Sequence, residues 1–210
     1  MTAKERLSVL LAHALSLYPD RRIELDYDTP FQMLIAVQLS AQTTDKQVNK
    51  VTAGFFPKVR QPRDVLKMGL ARFTALIRRV NYFNNKARNL FAAAKMLEER
   101  LGGRIPDTLA GILELPGVGV KTAKVMLHQL YGIPLVGVDT HIHRVLNRVG
   151  VVATKTPEET DRAVERIFTV DQKDRAHHAL VLFGRYHCLA RAPKCEGCGA
   201  RNACRFGSKK

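Results

Sequence analysis

Apolar residues along this chain return every three or four positions, and nowhere do they alternate residue by residue for long. Leu7, Leu10, Leu11, Ala14, Leu15 and Tyr18 form one stripe of helical period, which Pro19 stops. Thr29-Pro30 reads as an N-cap followed by proline at the first helical position, opening a helix through FQMLIAVQLSAQ. Thr44 and Gln47 have capping-box spacing ahead of Val48, Val51 and Phe55. Shorter helices are predicted over residues 63–68 and 71–80, and a long one over about 84–101, stopped by Gly102-Gly103. Asp107 is the predicted cap of TLAGILEL. The LPGVG turn ends that helix, and a new one runs over residues 120–131 to Gly132. Asp139 opens THIHRVLNRVG, Thr156-Pro157 starts a helix through Phe168, and KDRAHHALVLFGRYHC supplies the last. The C-terminus, rich in Gly, Arg and Cys, reads as irregular. The fold class is all-α, with no long linker and no repeat at solenoid spacing.

A length of 210 residues suits one large domain or two small ones. The apolar fraction of 46% and charged fraction of 25% are ordinary for a soluble globular protein. The charge balance is not: 34 Lys and Arg stand against 19 Asp and Glu, a net +15. Such a chain attracts polyanions, nucleic acid first among them. No apolar run approaches the roughly 20 residues that span a bilayer. Glu5, Ser8, His13 and Ser16 interrupt the first stripe, which argues against a secretory signal. The expectation is a cytoplasmic, nucleoid-associated protein with no membrane partner.

All four cysteines fall in one short tail, spaced Cys188-x6-Cys195-x2-Cys198-x5-Cys204. In a reducing compartment such clustering points to metal rather than disulfides. Four thiolates complete the shell of a zinc ion or the corners of an iron–sulfur cluster. Spacing alone leaves the choice open. From Arg185 to Lys210 seven basic residues stand against the single acid Glu196, so this loop can also meet phosphates.

LPGVG between two helices has two readings. Gly117 and Gly119 can simply supply backbone angles denied to other residues in a tight connection. Alternatively, exposed N–H groups at the next helix's N-terminus hold a DNA phosphate without reading sequence. A +15 all-helical chain favours the second. Lys121, in that helix's first turn, is out of place, because a helix N-terminus carries about half a positive charge.

The motifs LPGVGVKTA, VDTHIHRVLNR, LIAVQLSAQTTDKQVNK and NYFNNKARNL, in that family's order with the terminal cysteine pattern, resemble the endonuclease III family of helix–hairpin–helix DNA glycosylases. The resemblance covers nearly the whole chain. It implies a monomeric, bacterial enzyme that excises oxidised pyrimidines from duplex DNA and then cleaves the abasic strand. It implies one [4Fe-4S] cluster on Cys188, Cys195, Cys198 and Cys204, and it admits a monovalent cation at the hairpin. Lys121 becomes the nucleophile that attacks the sugar C1′ and forms a Schiff base, with Asp139 assisting. A helix N-terminus and partial burial both disfavour a charged lysine, and the same field favours a carboxylate at Asp139. Gln42 fills the hole left by the extruded base, and Tyr82 enters as a wedge from the opposite side. Further DNA contacts are expected at Asn81, Gly117, Gly119, Val120, His141, Arg144, Arg191 and Lys194.

The same resemblance divides the chain into a six-helix barrel over residues 20–132, with its hairpin at about 115–119, and a discontinuous cluster domain of residues 1–19 and 133–210. DNA is expected in the groove between them. Three departures stand out: the family has glycine at Asn81, Arg or Pro at Val120, and an aromatic at His143. Asparagine tolerates the left-handed region well, so Asn81 is expected to keep a positive φ and to offer its amide to DNA. His143 is expected to be a surface or phosphate-facing residue. The related adenine-mismatch glycosylases lack the lysine and carry a glutamate where this chain reads LIAV; Lys121 argues against that reading. Retention of Lys121 and Asp139 argues against a non-catalytic DNA binder.

Overall fold

The computed structural model describes residues 1–19 and 23–207; among them every regular element is helical. The chain divides into Glu24–Tyr131 and a discontinuous unit of Met1–Ile23 with Gly132–Lys210. The boundary expected at Asp20 lies outside the described residues.

In the first of these units, α2 (Pro30–Ser40) is the central helix. Thr29 caps it through a capping box with Gln32, and Pro30 occupies the first position. Phe31, Met33, Leu34, Ile35, Ala36 and Leu39 are all buried, so this helix is enclosed on nearly every side. Gln32, fully buried, uses its whole amide. Its Oε1 accepts from the N–H groups of Asp28 and Thr29, and its Nε2 donates to the carbonyls of Phe56 and Val59. Around α2 lie α3 (Asp45–Thr52), α4 (Pro62–Met68), α5 (Leu70–Leu76), α6 (Phe83–Leu101), α7 (Leu109–Leu113) and α8 (Val120–Tyr131).

Three local expectations change. The helix expected over 71–80 stops at Leu76, because Ile77 and Val80 are both buried and a tight turn between them serves that better. Thr44 caps α3 through the Gln47 N–H, but Gln47 sends its amide to the Arg79 carbonyl instead of closing the box. Thr108, not Asp107, caps α7, its hydroxyl accepting from Gly111 N–H. Asp107 lies near Tyr131, whose phenol is pushed up first by burial and then by that carboxylate.

In the other unit, α1 (Ala3–Leu17) packs Leu7, Leu10, Leu11 and Ala14 against α9 (Thr140–Val149), α10 (Pro157–Ile167) and α11 (Val170–Leu182). Thr2 and Glu5 form a capping box on α1. Thr169 and Gln172 form another on α11, which therefore begins three residues before the expected Lys173. Beyond Leu182 the helix widens to a π turn over Phe183–His187, closed by Cys188 N–H on the Phe183 carbonyl at 2.7 Å. A short 3₁₀ turn, Arg201–Ala203, gives the tail more order than expected. Its last carbonyl, on Ala203, accepts from the Arg6 guanidinium.

His143 is half-buried, and one edge of its ring turns inward. Its Nδ1 meets Thr160 Oγ1 at 2.7 Å, within a polar network that includes Asn147 and Thr154. His141 is half-buried as well, with its Nδ1 3.2 Å from Arg144. Burial first, then Arg144 and Arg185, hold its pKa below the ordinary 6.5, against the opposing pull of Asp139. The unfolded chain therefore takes up this proton at a higher pH than the folded one. The associated stability is whole above about 6.5 and is lost as pH falls through that value toward the lower folded pKa. The melting temperature is expected to fall between pH 7.5 and 5.5, and His141→Gln to flatten that slope in a calorimetric pH series.

Candidate functional site: two helix N-termini, a wedge loop and a thiol cavity

The glycine hairpin is built by packing. Gly117 has φ +79°, and a Cβ there would sit 2.8–2.9 Å from Asn89 and Gln38. Gln38, itself buried, donates its Nε2 to the Pro116 carbonyl at 3.0 Å and so holds the turn against α2. Gly117 is thus required twice, by backbone angle and by space. Gly119 differs from expectation: its φ is not left-handed, and nothing lies within 4 Å of where its Cβ would be. The protein's interior gives no reason for that glycine. Its bare backbone opens α8, with exposed Val120 and Lys121 immediately behind it. Lys121 was expected to be partly buried, but the hairpin lifts this first turn into solvent.

Asp139 follows an extended stretch whose Val136 and Val138 are buried. It caps α9, its Oδ1 accepting from the N–H groups of His141 and Ile142, each at 2.9 Å. The carboxylate is therefore fixed in direction by two backbone donors at the positive end of a helix.

Gln42 and Tyr82 share an unusual feature. Gln42 has φ +55° and Tyr82 has φ +58°, both left-handed, and both are exposed, Tyr82 at 64%. The positive φ expected at Asn81 falls one residue later, on Tyr82. Asn81 instead donates its Nδ2 to the Gln42 carbonyl at 2.5 Å and its N–H to Thr43 Oγ1 at 3.3 Å. Beneath them Lys86, buried, donates Nζ to the carbonyls of Leu39 and Ala41 at 2.7 and 2.6 Å. Burial depresses its pKa.

The four thiols line one cavity with Val149, Phe183, Pro193, Ala200 and Phe206, and none is in a disulfide. Burial pushes the Cys198 thiol up, and the thiols of Cys204, Cys188 and Cys195 add to this against a lowering backbone contact at Ala200. Two arginines of α9, one of them missed by the sequence reading, support the arm that leads there. Arg144, expected on DNA, donates to the carbonyls of Gly184 (2.7 Å) and Cys188 (3.2 Å). Arg148 donates to the carbonyls of Leu189 and Ala190 and toward Cys188 Sγ, and stacks on Phe206 at 4.5 Å. Arg191 and Lys194 are exposed on the loop. His13 and His187 back onto Cys198, with His13 Nε2 accepting from Gly199 N–H.

Comparison with known proteins places this geometry. The model of the HhH-GPD superfamily of base excision DNA repair proteins matches residues 35–169. The chain is 38% identical to endonuclease III of Escherichia coli K12 over 191 residues, covering 91% of this chain and 90% of that one. It is 37% identical to endonuclease III of Bacillus subtilis over 195 residues, covering 92% and 89%. A solved structure of an endonuclease III trapped in a covalent intermediate with DNA, an estranged-adenine complex, superimposes with a TM-score of 0.93 at 37% identity, covering 100% of this chain and 99% of that one. Hairpin, helix order and sequence agree over nearly the full length, and the chain belongs to the HhH-GPD superfamily of base excision DNA repair proteins.

Proposed function

We propose that this protein is a bifunctional DNA glycosylase and abasic-site lyase that removes oxidised pyrimidines from duplex DNA. The observation that carries the reading is the opening of α8. An exposed lysine stands in the first turn of a helix whose preceding glycine has no internal reason to be one. A phosphate needs close approach to backbone N–H groups, and Gly119 permits it. Val120, Arg191 and Lys194, all exposed, are further candidates for backbone contact.

In this reading the Lys121 amine, deprotonated, attacks C1′ of the everted nucleotide. The glycosidic bond breaks, and the base leaves with its electron pair and takes a proton. The attached nitrogen loses a proton, its lone pair expels O4′ from C1′ so that the sugar ring opens, O4′ takes up a proton, and the iminium remains. Loss of a C2′ proton and rupture of the C3′–O bond cleave the strand, and water frees the lysine. Asp139, held by α9, steadies the positive charge that develops on the sugar and the amine. Gln42 fills the vacated space and Tyr82 enters the stack as a wedge.

The four cysteines fit one [4Fe-4S] cluster better than a zinc ion. Zinc bonds near 2.3 Å need sulfurs about 3.8 Å apart, whereas among the described residues no three of these thiols lie within 4.8 Å of one another. The donor set is wholly soft, and the Arg148 guanidinium and the Gly207 N–H reach two of the sulfurs. Bound there, the cluster would cross-link the loop to the helices behind it and serve a structural purpose.

Two variants test the Lys121 and Asp139 assignments. Lys121→Ala is expected to abolish borohydride-trapped complexes on a duplex carrying an oxidised pyrimidine while damaged-DNA binding survives; persistent trapping moves the nucleophile elsewhere. Asp139→Asn keeps a competent cap, so its melting temperature should hold while single-turnover excision falls at least about a hundredfold.

The two hairpin glycines should separate in a paired denaturation and DNA-binding experiment. Gly117→Ala is expected to cost about 1–3 kcal/mol of stability. Gly119→Ala should stay within about 0.5 kcal/mol of wild type yet weaken DNA binding about tenfold.

Anaerobically purified protein is expected to be yellow-brown with about four iron and four sulfide per chain. Stoichiometric zinc without visible absorbance would overturn the cluster assignment.

A further inference from the structure

We propose that Asn81 is a positioning residue that locks the Gln42 loop to the Tyr82 loop, so that both left-handed residues meet duplex DNA as one preset element. This rests on the glycosylase reading above, which gives Gln42 and Tyr82 their contacts with DNA.

The argument begins with the backbone. Left-handed φ values at Gln42 and Tyr82 are unfavourable for residues with a Cβ, and they persist only where the surroundings impose them. Neither side chain is packed, because both are exposed. The constraint must therefore come through the main chain, and the Asn81 side chain supplies the part that acts on the peptide leaving Gln42. The direction of the Gln42 carbonyl is set by that residue's own ψ, and Asn81 Nδ2 holds this carbonyl at 2.5 Å. Asn81 is also the residue directly before Tyr82, and its N–H is tied to Thr43 Oγ1. One residue thereby fixes the peptide leaving Gln42 and is itself tied down at the peptide directly before it, one residue ahead of Tyr82.

Other bonds join the same two segments: Gln47 to the Arg79 carbonyl, and Lys86 to the carbonyls of Leu39 and Ala41. Lys86 holds the peptide entering Gln42 from the α2 side, whereas Asn81 holds the peptide leaving it and connects it to the residue beside Tyr82. A glycine at position 81 has no side chain with which to make the bond. The asparagine therefore spends its amide on the protein rather than on DNA. Presetting both tips removes an ordering cost at the moment the base leaves the stack. The effect should accordingly appear on a fully paired lesion, where unstacking is hardest, and vanish on an abasic site that is already open.

The test has two arms. The chain contains no tryptophan, so Tyr82→Trp introduces a lone fluorophore at the wedge. In the free protein, adding Asn81→Ala or Asn81→Asp should loosen that probe, seen as faster local anisotropy decay and stronger acrylamide quenching. The melting temperature of each variant should stay at that of its parent. In the second arm, both Asn81 variants should slow single-turnover excision of a paired lesion about tenfold, the loss expected of one positioning hydrogen bond. Cleavage of a pre-formed abasic site should change less than about twofold. In a Gln42→Ala background the Asn81→Ala loss should shrink below about twofold, because the residue acts through Gln42. An unloosened probe, or losses that multiply independently in the double variant, overturns the proposal. The fluorescence arm needs no DNA chemistry. If the wild-type protein excises no damaged base, the glycosylase reading fails while the lock is still decided.

Discussion

A helix end leaves backbone groups without partners inside the helix, and in an all-helical chain those ends must all be settled somewhere. This protein puts nearly all of its candidate chemistry at them. Asp139 settles the start of α9 and is thereby aimed. The start of α8 is exposed, behind a glycine whose absent side chain would meet open space. The end of α2 is settled by Lys86, an ammonium buried with two carbonyls about it. Burying a lone cation costs several kcal/mol. Two charge-assisted hydrogen bonds, each of order 1.5–3 kcal/mol, and the negative end of a helix offset most of that cost. The depressed pKa of Lys86 shows that desolvation is still felt.

How much of this the sequence showed depends on the distance along the chain over which each interaction acts. Thr29-Pro30, Thr156-Pro157, Asp139 and Gly102 are local signals, and each stands at the helix boundary it announces. The sequence also showed the glycine hairpin and the thiol pattern. It picked Asp107 where Thr108 is the cap, because two competent caps stand side by side. The position of the left-handed residue near the wedge was missed by one, because the preference of asparagine for that region is weaker than a hydrogen bond to Gln42, 39 residues away. The Thr160 partner of His143 was not visible for the same reason: it is 17 residues away on another helix. No periodicity encodes such pairs.

The π turn at Phe183–His187 belongs to this hidden class too. Widening by one residue sets the direction in which Cys188 leaves the helix. Arg144 and Arg148 then hold the carbonyls of Gly184, Cys188, Leu189 and Ala190, which have left regular helix and need donors. The arm carrying the first thiol is therefore supported by side chains from α9, the helix that Asp139 caps. Within this one unit, the aim of the candidate acid and the support of the thiol loop share a helix.

That use of arginine revises what a net charge of +15 means. Arg6, Lys86, Arg144 and Arg148 all direct their donors to backbone carbonyls. A carbonyl satisfies hydrogen bonds without cancelling charge, so the arginines among them keep their full charge. Their fields still reach about 8–10 Å at ordinary ionic strength and attract a polyanion from solution. They are not available as individual phosphate contacts, and the number of counterions released on binding follows contacts rather than net charge. Basic composition therefore reports the pull toward DNA, while the proposed footprint rests on exposed residues such as Lys121, Arg191 and Lys194.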